Sequence, residues 1–219
     1  MQHTKEILIG IAMFCLSLTR TNAQTVTDID GNIYPITVIG KQVWMAENLK
    51  TIRLNDGKSI LLVPDAKKWK ELKTPGYCFL NNDIANKDIY GVLYNWFTVD
   101  TKKLCPKGWH VPADREWAEM ILFLGDENTA GDKLKEKGND HWANSLTSAT
   151  NDFDFTSLGG GMRSDYGIFP DFVNSFAVWW SSTSAGTDAW NRGLYFSSRR
   201  IFKGHERVAS GFSVRCIKD

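Results

Sequence analysis

The sequence contains no long hydrophobic run, no large excess of charge of either sign, and no segment rich in proline. Its longest apolar stretch, residues 7–18, covers about 12 residues, whereas a membrane-spanning helix needs about 20. The 6 prolines are scattered, and no serine-rich spacer, charge block or internal repeat divides the chain. These absences argue against a membrane span and indicate a single domain without a linker.

The amino terminus has the pattern of a cleaved export signal. Lys5 precedes the apolar stretch, and small residues stand three positions and one position before a cut after Ala23. Cys15 is a potential lipidation site, but the bulky Phe14 before it is a poor match to the small residue that lipidation favours. We therefore expect residues 1–23 to be a signal peptide and the protein to be exported, outside the cell or in the cell envelope.

Charge and composition narrow the class of the remaining domain, residues 24–219. The signal segment carries two of the 26 basic and one of the 25 acidic residues, so 24 of each remain. Nucleic-acid binding needs a clustered positive surface, and this balance therefore argues against it. All nine tryptophans lie beyond residue 23 and accompany 18 glycines in the chain. This composition indicates a loop-rich core anchored by large aromatic side chains.

Short β-strands joined by tight turns are predicted at the start of this domain, over about residues 24–60. Residues 33–39 and 42–45 are rich in β-branched and aromatic side chains, and Asp-Gly and Gly-Lys turns punctuate them. Residues 28–32, Asp-Ile-Asp-Gly-Asn, imitate the start of a calcium loop, but Ile33 stands where such a loop needs glycine. We therefore predict a β-meander with an ordinary turn.

The clearest helical pattern begins after Pro112. Asp114 is a plausible N-cap and Gly125 a plausible stop. Between them, apolar residues recur at i, i+3, i+4 and i+7, namely Trp117, Met120, Ile121 and Leu124. A second short helix is predicted over residues 130–137. Three other segments have weaker patterns: a possible helix at 65–73, a strand near 77–80 followed by a loop at 81–83, and a segment at 90–96 compatible with strand or helix.

The last third of the chain is predicted to be rich in strands. In the final one, alternation places Phe212, Val214 and Cys216 on an inner face and Ser213 and Arg215 on the opposite face. The predicted strands are residues 153–158, 178–182, 192–198 and 211–218.

Three cysteines, Cys78, Cys105 and Cys216, remain after signal cleavage. In an oxidising compartment they predict one disulfide and one free thiol, and the residues alone leave the pair open. We favour Cys105 with Cys216, because closing a loop of about 110 residues stabilises by up to about 4–5 kcal/mol in the chain-entropy model. No histidine lies near Cys78 in sequence, so a structural thiol is favoured there over a nucleophile.

Six motifs follow one another over nearly the whole mature chain. They are QVWMAENL at 42–49, YGVLYNW at 90–96, the run 105–117, GGGMR at 159–163, WWSST at 179–183 and GFSVRC at 211–216. Together they resemble the Fibrobacter succinogenes major paralogous domain family.

That family is similar to the C-type lectin-like fold of the formylglycine-generating enzyme type. The recurring marks of that fold are a Pro-x-x-x-Glu-Trp helix start, here Pro112 to Trp117, and a Gly-Phe-x-Val strand, here Gly211 to Val214. The resemblance implies an α+β, loop-rich domain of short antiparallel strands with two short helices. It also implies an exported or surface protein of Bacteroidetes-like bacteria.

One departure from the family pattern concerns the cysteines. The family has a second cysteine near the position of Lys87, paired with the one at the position of Cys78. Its absence leaves Cys78 unpaired and supports the bridge from Cys105 to Cys216. Formylglycine-generating enzymes oxidise a substrate cysteine with a cysteine pair of their own. Here Cys216 has no close partner in sequence, although Cys78 could approach it in space.

Other motifs are better explained by structure than by chemistry. No HExxH or Cys-x-x-Cys motif of a zinc site lies near His110, His141 or His205 in the sequence. The glycines at 159–161 lack the Gly-Lys-Ser/Thr of a phosphate loop, and the serines at 181–182 lack an esterase elbow. We therefore predict no catalytic residue, metal or cofactor.

A binding surface remains as the functional hypothesis. In lectin-like folds recognition uses the irregular segments between the last strands, here residues 164–171 and 185–192. The predicted ligand-binding residues, which combine aromatic faces with polar groups, are Tyr166, Asp171, Trp190 and Arg192. The alternative is that the two aromatic side chains only anchor their loops.

The sequence therefore predicts an exported, non-enzymatic module that binds a glycan or a protein at the cell envelope or outside the cell. Two alternatives stay open: a redox enzyme related to the formylglycine-generating group, and a purely structural envelope component. The sequence determines neither the ligand nor the oligomeric state.

Overall fold

The three sheets of the protein are built mainly from short strands, with short helices in the connections. The computed structural model describes residues 24–143, 149–171 and 173–219, and the predicted signal segment lies outside the described residues. Within these ranges runs of strands open and close the chain and the short helices lie between them, which confirms the α+β class. No helix in the described ranges is both long and apolar enough to span a bilayer.

The first sheet contains the predicted β-meander and joins it to the carboxyl terminus. Strands β1 (Thr25–Thr27), β2 (Ile33–Ile39) and β3 (Gln42–Met45) pair antiparallel. The terminal strand β12 (Ile217–Lys218) pairs with β3 and with β7 (Trp109–His110), giving the order β1-β2-β3-β12-β7. The first and the last strand of the described domain therefore belong to the same sheet.

The side-chain carboxylate of Asp28 holds the turn between β1 and β2. Asp28 accepts hydrogen bonds from the backbone N–H groups of Asp30 and Asn32 and from the hydroxyl of Tyr34. Asp30 in turn accepts from the backbone of Ile52 and pairs with Arg53. These contacts satisfy both carboxylates within the protein, and the turn interpretation is confirmed.

The second sheet has the order β11-β6-β5-β4. Its strands are β4 (Leu61–Leu62), β5 (Gly76–Cys78), β6 (Leu93–Asn95) and β11 (Gly211–Phe212), and only β4 and β5 are parallel. Helices α1 (Ala66–Glu71), α2 (Asn86–Tyr90) and α3 (Trp96–Asp100) and a 3₁₀ turn (Leu80–Asn82) lie in or beside its connections. The ambiguous segment 90–96 holds the end of α2, all of β6 and the first residue of α3.

The clearest predicted helix is present as α4 (Asp114–Phe123). Its buried side chains are those that the spacing predicted, and Gly125 follows it with φ of 122°. Its N-cap is Ala113 instead of Asp114, and the carboxylate of Glu116 accepts from the N–H of Ala113 at 2.8 Å. Asp114 is the first helical residue, which frees its side chain for contacts with another strand.

The prediction of two short helices is wrong. The described ranges contain five, the last being α5 (Ala130–Leu134). Apart from α4, each has only five or six residues. So short a segment completes little more than one turn, and its apolar residues cannot establish a 3.6-residue period.

The third sheet contains the longest strands and is antiparallel throughout. It consists of β8 (Phe176–Ala185), β9 (Asp188–Tyr195) and β10 (Ile201–Arg207), with β9 in the centre. The predicted irregular segment at 185–192 is wrong, because only a tight turn around Gly186 separates β8 from β9. Strand β10 was not predicted.

The strand predicted at residues 153–158 is absent. Asp154 and Thr156 have left-handed backbones, with φ of 51° and 50°, which a strand cannot accommodate. The side chain of Asn151 accepts from the backbone N–H of Thr156 at 2.8 Å and holds this irregular path. One bridge, between Ser157 and Lys135, is its only ladder contact among the described residues.

Aromatic side chains and one disulfide tie the sheets together. Trp117 on α4 lies 4.8 Å from Trp44 on β3 and 5.9 Å from Trp179 on β8, between ring centroids. The bridge between Cys105 and Cys216 is present, with 6.0 Å between Cα atoms, so the favoured pairing is confirmed. Tryptophans from three elements therefore meet in one core, as the composition predicted.

The final segment is buried on both sides of its backbone. The predicted inner residues Phe212, Val214 and Cys216 are buried, but so are Ser213 and Arg215. The outward assignment of the latter two is wrong, because residues 149–157 and the loop holding Asn48 cover that side.

Candidate functional site

Of the predicted ligand-binding residues, Arg192 has an internal partner. Its side chain is only 3 % exposed, and its Nη2 atom lies 2.6 Å from Oδ1 of Asp114 at the start of α4. Lys203 on β10 lies 2.8 Å from the other oxygen of that carboxylate. Burial opposes ionisation of Asp114, but hydrogen bonds from Lys203 and Arg192 outweigh it and lower its pKa. Arg192 thus anchors α4 to the third sheet.

Trp190 lies two residues before Arg192, on the same face of β9. The Nζ atom of Lys203 stands 4.0 Å from the centroid of the Trp190 ring, and the His205 ring meets it edge-on at 5.5 Å. One face of the indole is therefore covered by a cation that is itself held by Asp114. This geometry supports the alternative in which Trp190 anchors its own hairpin.

Tyr166 and Asp171 lie in a different loop. Tyr166 is 59 % exposed, and its ring contacts Nζ of Lys70 on α1 at 4.6 Å from the centroid. Asp171 is also exposed and follows Pro170. The structure thus brings Trp190 and Arg192 to one strand face and places the other two residues elsewhere, so the four do not form one pocket.

The opposite face of the third sheet carries a cleft of about 200 Å³. Side chains that alternate along the three strands form its floor, and Met162 and Phe212 add to its wall. From the strands, the lining residues are Phe176, Val178, Asn191, Tyr195, Phe202, Gly204, His205 and Glu206. Register places them in rows, with Phe176 beside Tyr195 and Asn191 beside Gly204. Sequence analysis missed this site because it did not identify β10.

Two glycines in the sheet make room for the cleft side chains. A Cβ atom at Gly193 would stand 2.1 Å from the ring of Phe202, so that ring lies directly on the glycine. A Cβ atom at Gly204 would stand 3.0 Å from Oδ1 of Asn191. Glycine inside a strand is typical of a close approach, and here the approaching groups are the cleft's own ring and amide.

Aromatic rings form a continuous row across the three strands. The rings of Tyr195 and Phe202 stack at 4.9 Å between centroids with 27° between planes, and Phe176 lies 6.3 Å from Tyr195. Tyr195 is 49 % exposed. Beyond this row lies a second depression of about 450 Å³, lined by Pro170, Ser175, Phe176, Tyr195 and Phe196. The rings thus separate two adjoining hollows.

Asn191 supplies the cleft with a polar group that has no hydrogen-bond partner among the described residues. The residue is 4 % exposed, and no described residue forms a hydrogen bond with its side-chain amide. Buried amides in folded proteins are normally hydrogen-bonded, since burial without a partner costs about 1–3 kcal/mol. An amide with two donors and one acceptor that faces a cleft is therefore available to a ligand.

A larger depression of about 500 Å³, lined by residues 39–42 and by side chains of α4, is a weaker candidate. Its amide group, on Gln42, already donates to the carbonyl of Glu116 and accepts from the indole of Trp44. The exposed part is formed largely by Leu122 and Phe123. Its charged lining residues, Lys41 and Glu119, are exposed to solvent, so no buried polar group there requires a ligand.

The described cysteines do not present a reactive thiol. Cys105 and Cys216 are joined, and Cys78, the last residue of β5, is fully buried. Burial raises the pKa of the Cys78 thiol to about 12, despite the opposing effect of Arg163. A thiolate nucleophile at Cys78 is disfavoured on both grounds.

One family model, the Fibrobacter succinogenes major domain, matches residues 38–218, from within β2 to the terminal strand. No curated protein and no solved structure matches the chain. The family match includes all three strands that form the cleft and the two cysteines that are bridged. Since it covers well over half of the sequence, the chain belongs to the Fibrobacter succinogenes major domain family.

Proposed function

We propose that the protein is an exported, non-enzymatic binding module that recognises a glycan or a protein in the cell envelope or outside the cell. The observation that carries this proposal is the cleft on β8–β10, where exposed aromatic rings adjoin the unpartnered amide of Asn191. A concave apolar surface with a few free polar groups is typical of ligand-binding sites. A lectin-like architecture, as the sequence resemblance implies, would place recognition on these last strands.

The predicted residues contribute unequally to this proposal. Tyr166, Asp171 and Trp190 remain candidate contacts, since each has exposed or half-exposed atoms. Arg192 supports the sheet through its ion pair. Tyr195, which the sequence did not identify as a site residue, becomes the central candidate.

Two binding assays with the mature chain test the proposal. We expect a signal on a glycan array or specific capture from an envelope extract, reduced at least about tenfold by Tyr195→Ala. Trp190→Ala tests the other face of the sheet in the same assays. Blank results in both assays would favour a purely structural role, and binding that neither variant changes would reject both faces of the third sheet as the site. Amino-terminal sequencing of secreted protein is expected to begin at Gln24.

A further inference from the structure

We propose that the cleft on β8–β10 binds an uncharged saccharide of at least two units, with one sugar ring packed on the Tyr195–Phe202 stack and its hydroxyls bonded to Asn191. This inference rests on the proposed binding function and assigns its ligand class. It follows from the chemistry of the lining side chains, considered one kind at a time.

The aromatic row fits the apolar face of a sugar ring. Tyr195 and Phe202 stack nearly parallel, so each covers one face of the other, and the half-exposed Tyr195 ring supplies the aromatic surface that a ligand can reach. The axial C–H groups of a pyranose form a flat apolar patch that is complementary to the electron-rich face of an aromatic ring. An extended peptide would instead require a free strand edge or separate side-chain pockets.

The polar groups of the cleft fit hydroxyl groups. Asn191 offers two donors and one acceptor, and Glu206, at the rim, offers acceptors only. A hydroxyl both donates and accepts, so it can bond to the amide and to the carboxylate at once. An aliphatic ligand would leave the nine-tenths buried amide of Asn191 unbonded, which is unfavourable.

Charge argues for a neutral ligand. The lining residues include no lysine or arginine, and Glu206 is the only carboxylate among them. The ring of His205, whose backbone borders the cleft, is held on the opposite face by Asp188 and Trp190. A uronate, sialate or phosphate group would therefore meet one negative charge and no cation.

The expected length of the saccharide follows from the two adjoining hollows. Phe176 and Tyr195 line both the cleft and the depression beside it. A chain that crosses this pair of rings places one unit on each side. We therefore expect a disaccharide or longer oligomer to bind more tightly than the corresponding monosaccharide.

The experiment is calorimetric titration of the mature protein with four neutral oligosaccharide series, the cello-, xylo-, manno- and chito-oligosaccharides, and with oligogalacturonate as the acidic probe. We expect at least one neutral series to bind, with affinity rising from monomer to dimer and at least about tenfold above that of oligogalacturonate. Chemical shifts of the Asn191 side-chain amide should move on addition of the sugar that binds.

Three variants identify the site. Tyr195→Ala and Asn191→Ala are each expected to weaken binding at least about tenfold, and Gly204→Ala to weaken it by pushing the Asn191 amide. Ile84→Ala, which removes an apolar side chain that is 69 % exposed and lies outside the cleft, is the control and should bind as wild type. Near-ultraviolet circular dichroism checks that each variant is folded, and Tyr195→Ala, at a half-exposed position, keeps the test usable if Asn191→Ala does not fold.

The proposal is overturned if no neutral series binds, if oligogalacturonate binds best, or if folded Tyr195→Ala binds as wild type. The proposed function has a separate outcome. Capture of an envelope protein that Tyr195→Ala abolishes, without saccharide binding, would retain the binding module and reject its ligand class. Blank arrays and blank capture would reject both.

Discussion

Arg215 is buried in the core, where its guanidinium donates hydrogen bonds to neutral oxygen atoms. Its guanidinium donates to Oδ1 of Asn48 and to the carbonyls of Phe155 and Thr156, and it stacks on the Phe155 ring at 4.1 Å from the centroid. No carboxylate of a described residue lies within ion-pair distance of it. Burial lowers the pKa of Arg215 to about 9, although Glu47 opposes the shift. Alternation in the sequence placed this residue on an outer face, because period 2 cannot show that a second layer covers that face.

We expect Arg215→Lys to lower the free energy of unfolding by about 2–3 kcal/mol. The ammonium of a lysine keeps the charge, but it cannot bond at once to the Asn48 side chain and to the backbone carbonyls that the planar guanidinium of Arg215 contacts. Arg115→Lys is the matched control, since its side chain is 81 % exposed, and should change stability by no more than about 0.5 kcal/mol. Urea denaturation measures the stability of both variants. Equal midpoints for Arg215→Lys and Arg115→Lys would contradict the role given to the Arg215 guanidinium.

His110 links α4 to the last residue of the chain. Its Nδ1 atom lies 2.6 Å from Oδ1 of Asp219 and its Nε2 atom 2.9 Å from Oε1 of Glu116. Burial favours the neutral ring, but the hydrogen bonds that the protonated ring donates to Asp219 and Glu116 outweigh it and raise the pKa of His110. Because the folded pKa is the higher one, the stabilisation is complete below the unfolded value of about 6.5 and is lost as pH rises through the folded value.

The stability advantage of wild type over His110→Gln should therefore be greatest below about pH 6 and shrink toward pH 9. Urea denaturation of both proteins across that range measures it. Asp219→Asn removes one of the two carboxylates and should flatten the pH dependence. Parallel stability curves for wild type and His110→Gln at all pH values would show that the histidine does not carry the linkage.

At the scale of elements, one carboxylate supplies the ion pairs that join α4 to strands β9 and β10. Asp114 pairs with the buried Arg192 and with Lys203, from two neighbouring strands. We expect Asp114→Asn to lower the free energy of unfolding by about 3 kcal/mol, because it leaves the guanidinium of Arg192 buried without its closest counter-charge.

The control for this change is Glu119→Gln on the same helix. Its partner Arg115 is exposed, so the loss should stay within about 0.5 kcal/mol. In the double variant Asp114→Asn/Arg192→Leu, the loss should be smaller than the sum of the two single losses. Additive losses, measured by thermal or urea denaturation, would mean that the two side chains are not coupled.

Elements differed in how far the sequence predicted them. Helix α4 was found because its ten residues repeat the helical period nearly three times. Strand β10 was missed because its cleft-facing positions are Phe202, Gly204 and Glu206, a mixture that does not read as one apolar face. The strand expected at 153–158 has apolar alternation, but local side-chain hydrogen bonds from Asn151 hold a different backbone.

At the scale of the whole molecule, the disulfide closes most of the domain into one loop. Cys105 and Cys216 are 111 residues apart, and the segment between them includes α4, α5 and the entire third sheet. Restricting that loop in the unfolded chain stabilises the fold by up to about 4–5 kcal/mol.

We expect Cys105→Ser/Cys216→Ser to lose several kcal/mol in urea denaturation, about 2–5 by comparison with native disulfides in general. Cys78→Ala is the control, since it removes a buried thiol without changing the bridge, and should lose only about 1 kcal/mol. Peptide mapping without reductant should find one bridge and one free thiol. Three free thiols in secreted protein, or equal stability of the bridged and unbridged forms, would refute this account.

The sequence by itself determined the family, the α+β class, the main helix and the meander, because each leaves a local signature: ordered motifs, a period of 3.6, or a turn dipeptide. The sequence only favoured the disulfide pair, which the structure then showed. Only the tertiary structure decided which polar residues are internal and where a ligand can be held. In the sequence, Arg192 and Arg215 cannot be distinguished from arginines on the surface, and Asn191 cannot be distinguished from any other asparagine in a strand. Their roles depend on which segments cover them. Packing between segments that are distant in sequence leaves no periodic pattern in the sequence itself.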